Sequence, residues 1–117
     1  MDVDGTKYDS AQAVEEGMLR MGSIIFVEYR IEPEKRELYF THINKLLQYK
    51  TDVTLYEGTD QPNVFVEQWH DTTPQQYADM KRVRLQEQSE WDVVTACIPG
   101  GTAKLHIWEF AARQDTL

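Results

Sequence analysis

One cysteine, four prolines and six glycines in 117 residues describe a chain neither cross-linked nor built mainly of turns. Cys97 has no second cysteine to pair with, so no disulfide forms within the chain. Between Ala96 and Ile98 its thiol reads as small core filler rather than a nucleophile. Basic residues are scarce as well. Twelve Lys and Arg against twenty Asp and Glu give a formal charge of -8 and a pI near 4.8. That balance argues against a general binder of nucleic acid, which needs a basic surface to displace counterions. The short run Lys81, Arg82 and Arg84 reads as a solvated helix face. No apolar run approaches membrane-spanning length, and the N-terminus lacks the basic, apolar, small-residue order of a secretory leader, so a soluble, cytoplasmic protein without membrane contact is expected. No two of the three histidines, His42, His70 and His106, have local metal-ligand spacing, and neither a metal nor another cofactor is expected.

What is present fits one small domain: 41% of residues are hydrophobic and 11% aromatic, enough for a thin core that a second subunit would help. Residues 1–22 stand apart as an acidic extension carrying Asp2, Asp4, Asp9, Glu15 and Glu16, with helical tendency in its later part. Residues 23–113 form the domain and 114–117 a tail. The opening DVDGT imitates the motif of phosphatases that form an aspartyl-phosphate, but the buried strand that delivers the nucleophile in those enzymes is not expected here, with Met1 alone before Asp2 in this sequence. It imitates a calcium loop too, yet the positions that require glycine and glutamate are Lys7 and Ala13.

From Ser23 the elements follow clearly. IIFVEYRI, residues 24–31, alternates Ile25, Val27, Tyr29 and Ile31 against Phe26, Glu28 and Arg30, the pattern of a strand. Pro33 opens a helix whose Tyr39, Ile43, Leu46 and Leu47 share a face, with Glu34 and Glu37 near its start and Lys45 and Lys50 near its end. Strands over 53–57 and 64–69 flank the turn-rich TDQPN and make a hairpin. The second helix has the clearest start signal: Thr73 as cap, Pro74 in the first turn and Gln76 completing a capping box, after which Tyr77, Met80 and Arg84 share a side. A shorter helical segment from Ser89 aligns Trp91, Val94 and Ile98 and stops at Pro99-Gly100-Gly101. The last strand is expected over 104–110, with Leu105 and Ile107 opposed to His106, Trp108 and Phe110.

The order is βαββαβ with an added short helix, which predicts an α+β, ferredoxin-like domain: a four-stranded antiparallel sheet with both helices on one face. If Ile25, Val27, Val64, Val66, Leu105 and Ile107 face the helices, then Phe26, Tyr56, Phe65, Trp69, Trp108 and Phe110 face outward. Six such rings represent about 10 kcal/mol of burial before entropy is deducted, an unusual patch for a monomer. Nucleic acid stacking on the rings is opposed by acidity and by the lack of an aromatic-glycine motif. A metabolite bound at a subunit interface is one alternative covering. The other is a second copy of the sheet, packed face to face across a two-fold axis.

The segment VFVEQWHDTTPQQYADM, with Glu67 two residues before Trp69, then Asp71, then a helix carrying Tyr77, resembles the antibiotic-biosynthesis-monooxygenase-like domains of the dimeric α/β-barrel superfamily. The likeness spans residues 24–110. It implies a homodimer forming a dimeric α/β barrel, with a small-molecule pocket in each protomer. Several members of that group oxidise polyaromatic or quinol substrates with dioxygen and without metal or flavin. An apolar cavity holds the substrate, a base favours its phenolate, and the anion donates an electron to oxygen. On that reading Trp69, Trp108, Phe65, Tyr56, Phe26 and Tyr77 would contact substrate, His106 or Glu67 would serve as base, and Arg30 would stabilise a developing oxyanion. The plainer roles are core or interface filler for the two tryptophans, pairing of Glu67 and Glu28 with Arg30 or their reaching solvent at the barrel rim, and a hydrogen-bonded structural histidine at 106. A non-catalytic ligand-binding or interaction module of the same fold is the alternative. Haem degradation fits less well, because relatives with that activity carry a ligating histidine late in the second long helix, and Gln75 to Gln88 contains none.

Overall fold

The computed structural model describes residues 22–86 and 88–113. The acidic extension, apart from Gly22, and the tail at 114–117 lie outside the described residues. Four strands, β1 (Ile24–Arg30), β2 (Val53–Glu57), β3 (Val64–Trp69) and β4 (His106–Phe110), form one antiparallel sheet in the order β2-β3-β1-β4. Helices α1 (Arg36–Leu47), α2 (Pro74–Leu85) and the short α3 (Asp92–Ala96) complete the α+β arrangement.

Local chemistry sets each boundary. Pro33 enters a single 3-10 turn, Pro33–Lys35, whose missing amide proton would have no partner there anyway. Helix α1 follows, burying Tyr39 and Ile43 one turn apart. It stops where Gln48 turns extended and Tyr49 adopts a left-handed φ of 67°. In α2 the Thr73 side chain accepts from the Gln76 amide while the Gln76 side chain accepts from the Thr73 amide, so two end donors are satisfied reciprocally. After α3, Gly100 and Gly101 take φ of 89° and 62°, a pair that side-chain-bearing residues adopt at a penalty. A 3-10 turn, Gly101–Lys104, then occupies the start of the segment expected to be strand. The Leu105 amide closes that turn on Thr102, so β4 begins at His106.

Register decides which side chains meet the helices. Ile25 lies opposite Trp69, Val27 opposite Glu67 and Tyr29 opposite Phe65, and every one of these six is buried. The expected facing of β3 is therefore reversed: Phe65 and Trp69 point to the helices, and Val64 and Val66 to the open side. The reason is Glu67, which shares their parity and is fully buried because a cation meets it inside. Phe65 joins an aromatic cluster with Tyr39 (4.6 Å between centroids), Phe40 and Tyr29. Trp69 meets Trp91 edge to face at 6.4 Å.

On the open face β1 and β4 align Phe26 with Trp108 and Ile24 with Phe110. Phe26 contacts both rings at 5.9 Å, and His106 stacks on Trp108 at 5.5 Å and 7°. Trp108, Phe110 and Tyr56 remain 41%, 50% and 49% exposed. Among the described residues no helix is long and apolar enough to cross a membrane.

Candidate functional site

The site is built around Glu67. Strand β3 is central in the sheet, and its alternation sends this carboxylate into the layer between sheet and helices, where none of it is exposed. A carboxylate there requires a cation and hydrogen bonds. Arg84, near the end of α2 and only 2% exposed, supplies both: Nη1 donates to Oε1 at 2.8 Å and Nη2 to Oε2 at 2.9 Å. Trp69 Nε1 donates to Oε1 at 3.0 Å, and the Tyr29 hydroxyl to Oε2 at 2.6 Å. Because the Tyr29 proton goes to Glu67, Tyr39 donates the next bond in line, 2.7 Å to the Tyr29 oxygen.

Four donors fill the acceptor positions of the carboxylate. Burial, reinforced by the Glu67 charge, holds the Tyr29 phenol well above its ordinary pKa. Burial likewise raises Tyr39, although its bond to Tyr29 works against the shift. For Arg84, burial opposes the charge, but attraction to Glu67 and the bidentate bonds more than offset it, leaving the guanidinium firmly protonated. Its carbon also lies 3.7 Å from the centre of the Trp91 ring, a close cation–π contact.

A cavity of about 280 Å³ adjoins this pair, with Trp69, Trp91, Ile25, Met80 and Val83 as apolar walls and Lys50, Asp52, Gln76 and Glu90 as exposed lining. Among the described residues two buried side-chain polar atoms lack a partner: Thr72 Oγ1 and Arg84 Nε. Both residues line this cavity. The arrangement is an aromatic slot with two unpartnered buried polar atoms in the residues of its wall, a setting suited to a flat molecule that carries an oxygen acceptor.

The residues proposed from sequence divide between the two sides of the sheet. Glu67 and Trp69 meet in this site. Phe65 shares their face but packs with Tyr39 and Phe40. Tyr77, on α2, donates to the Ile107 carbonyl at 3.3 Å, and its ring lies under Lys81. His106, Arg30, Phe26, Trp108 and Tyr56 occupy the open face. Glu67 therefore neither pairs with Arg30 nor reaches solvent, but is buried against Arg84, and the two suggested bases, Glu67 and His106, lie on opposite sides. The run Lys81, Arg82, Arg84 is likewise not one solvated face, since Arg84 is buried while its two neighbours are exposed. Arg84, Trp91, Tyr29, Tyr39 and Thr72 were not among the sequence-derived site residues. The available signal for Arg84 was its position on the same side of α2 as Tyr77 and Met80.

Among the described residues no three His, Cys, Asp or Glu side chains group as metal ligands. No family model matches the chain, and no curated protein matches it. Among solved structures, the fold is similar to that of a conserved protein from Methanosarcina mazei Go1, with a TM-score of 0.52, 14% identity, and coverage of 82% of this chain and 98% of that one. A structure from Bordetella bronchiseptica described as "Putative antibiotic biosynthesis monooxygenase" matches at a TM-score of 0.46 and 13% identity, covering 79% of this chain and 98% of that one. At these identities the likeness is one of fold.

Proposed function

We propose that this chain binds a small, flat, phenol- or quinol-type ligand in the cavity between its sheet and helices, as one half of a two-fold dimer. The observation that carries the reading is the coincidence of the two unpartnered buried donors, Thr72 Oγ1 and Arg84 Nε, with an indole-walled cavity. An unpaired buried polar atom costs about 1–3 kcal/mol, and a ligand oxygen that reaches either one removes its penalty. A ring sandwiched near Trp69 and Trp91 supplies the apolar share of affinity. Glu67 acts here as a positioning residue: its four hydrogen bonds leave it no lone pair for a substrate proton, and they aim Arg84 at the slot. Cofactor-independent oxidation of the ligand is the further step that the sequence resemblance implies. A quinol would lose two electrons and two protons to dioxygen, yielding quinone and hydrogen peroxide.

The dimer reading is supported by the exposed rings of Tyr56, Trp108 and Phe110, with Phe26 half-buried among them, on the uncovered sheet face.

Titration of the full chain with simple phenols and quinols under argon, followed by indole fluorescence, tests the binding. Saturable quenching that weakens in Thr72→Val supports it; quenching that is linear, or unchanged in that variant, overturns it. Oxygen uptake under air, above the protein-free rate, decides whether binding leads to oxidation. Sedimentation of wild type and Trp108→Glu tests the dimer, and a wild type that is a folded monomer at micromolar concentration refutes it.

A further inference from the structure

A second cavity of about 600 Å³ lies on the other side of the sheet, lined by Glu28, Arg30, Val64, Pro99, Lys104 and His106 among others. We infer that this cleft is a binding site for a small organic oxyanion carrying at least two negative charges, distinct from the ligand cavity and independent of the reading above.

Charge is the first argument. In a chain of net charge -8, the cleft gathers two cations, Arg30 and Lys104, with the His106 ring beside them, against one carboxylate, Glu28. Lys35, Arg36, Arg82 and Arg84 each have a carboxylate partner within the chain. Among the described residues Arg30 and Lys104 have none; Lys45, Lys50 and Lys81 have none either, but Arg30 and Lys104 line one concave surface together. Two cations facing a single carboxylate around a concave surface raise the local concentration of anions. An Arg fork and a Lys ammonium together suit an oxyanion's several acceptor oxygens.

The backbone supports the same geometry. Gly100 sits at a left-handed φ of 89°, and a Cβ there would lie 2.8 Å from Lys104 Cγ. Only glycine allows the lysine stem to lie against this turn. His106 is held by stacking on Trp108, which limits the motion of its ring.

Register also separates the cleft from the apolar patch. Phe26, Trp108 and Phe110 gather where Ile24 pairs with Phe110, whereas Glu28 pairs with His106 and Arg30 with Val64 towards the opposite end. One end of the open face is greasy and the other cationic. The volume exceeds what an inorganic ion needs, at about 30 Å³ for a water-sized occupant, and Val64 and Pro99 offer contact to a carbon skeleton. A hexose phosphate and a polycarboxylate such as citrate share the required chemistry.

The test is amide-correlated NMR of the full chain titrated separately with a hexose phosphate, with citrate, and with sodium chloride at matched ionic strength. The proposal expects saturable shifts at Arg30, Gly100, Gly101 and Lys104 with an oxyanion and not with chloride, and the tighter oxyanion names the class. Arg30→Gln and Lys104→Gln should each weaken binding about tenfold, the loss of one charge-assisted hydrogen bond. Lys45→Gln, on α1, should leave it unchanged. Gly100→Ala should weaken binding by displacing Lys104, with the spectrum itself reporting whether the fold is kept. Equal shifts with chloride, or equal affinity in wild type, Arg30→Gln and Lys104→Gln, overturn the inference.

Discussion

Replacing Arg84 by Met is the sharpest probe of the buried pair. Methionine approximates the length of the arginine stem and can keep contact with Trp91, but it removes both donors to Glu67. The carboxylate would keep only the Tyr29 hydroxyl and the Trp69 indole as donors at zero exposure. Breaking one half of such a pair costs about 3–5 kcal/mol, because a charge stays buried without its counter-ion. With a urea slope of about 1–3 kcal/mol per molar for a domain of this size, the unfolding midpoint should fall by about 2 M. Unfolding should be followed at fixed protomer concentration, since association adds to apparent stability. The double variant Glu67→Gln/Arg84→Met removes the charge as well as its partner, and it should recover about half of the loss or more. An Arg84→Met protein within about 1 kcal/mol of wild type, well below the expected loss, would refute the assignment of the pair as a mutually dependent unit.

Glu57 gives a pH signature of its own. Arg36 through its hydrogen bonds, and then the Asn63 amide, hold Glu57 down to about 2 from an ordinary 4.5. A depressed folded value means that its contribution is complete above the ordinary value and is lost as pH falls from about 4.5 towards about 2. Glu57→Gln should therefore be less stable than wild type at neutral pH, with the difference vanishing near pH 2 in thermal melts. Thr73→Ala removes one half of the capping box and should destabilise by about 1 kcal/mol, read by chemical denaturation; Thr73→Ser should retain most of it. Cys97 is buried, with its thiol 3.3 Å from the Val93 carbonyl, and burial raises its pKa. Iodoacetamide should label it only at urea concentrations that unfold the chain, and rapid labelling of native protein would contradict its placement.

Much of the fold was legible because its signals are local. The span of β2, the span of β3 and the capping box at Thr73 all follow from residues within a few positions of one another. The facing of β3 was not legible in the same way. Val64, Phe65, Val66 and Trp69 put apolar groups on both faces, so alternation alone does not choose, and a glutamate between them argues for solvent unless a cation waits inside. That cation is Arg84, seventeen positions away in sequence. The arginine's company with Tyr77 and Met80 on one side of α2 was a readable hint, yet an adjacent Lys81 and Arg82 masked it as ordinary surface charge. The site inherits the same limit: Glu67 and Trp69 could be singled out from their strand, whereas Thr72 and Trp91 acquire meaning only when the loop before α2 and the turn before α3 close over them. Leu105 shows a smaller version, where a 3-10 turn ending at Lys104 takes residues whose alternation looked like strand.

The Glu67–Arg84 pair also acts as an alignment key for the sheet. Were β3 to slip by one residue against β1, Glu67 would swing to the open face, and the guanidinium would be marooned beneath Trp91 with nothing to answer its charge. A strand with grease on both sides has little else to forbid that slip. We therefore expect the charge-free double variant to remain stable while losing uniqueness, and a second set of β3 amide resonances would be the mark of the missing key.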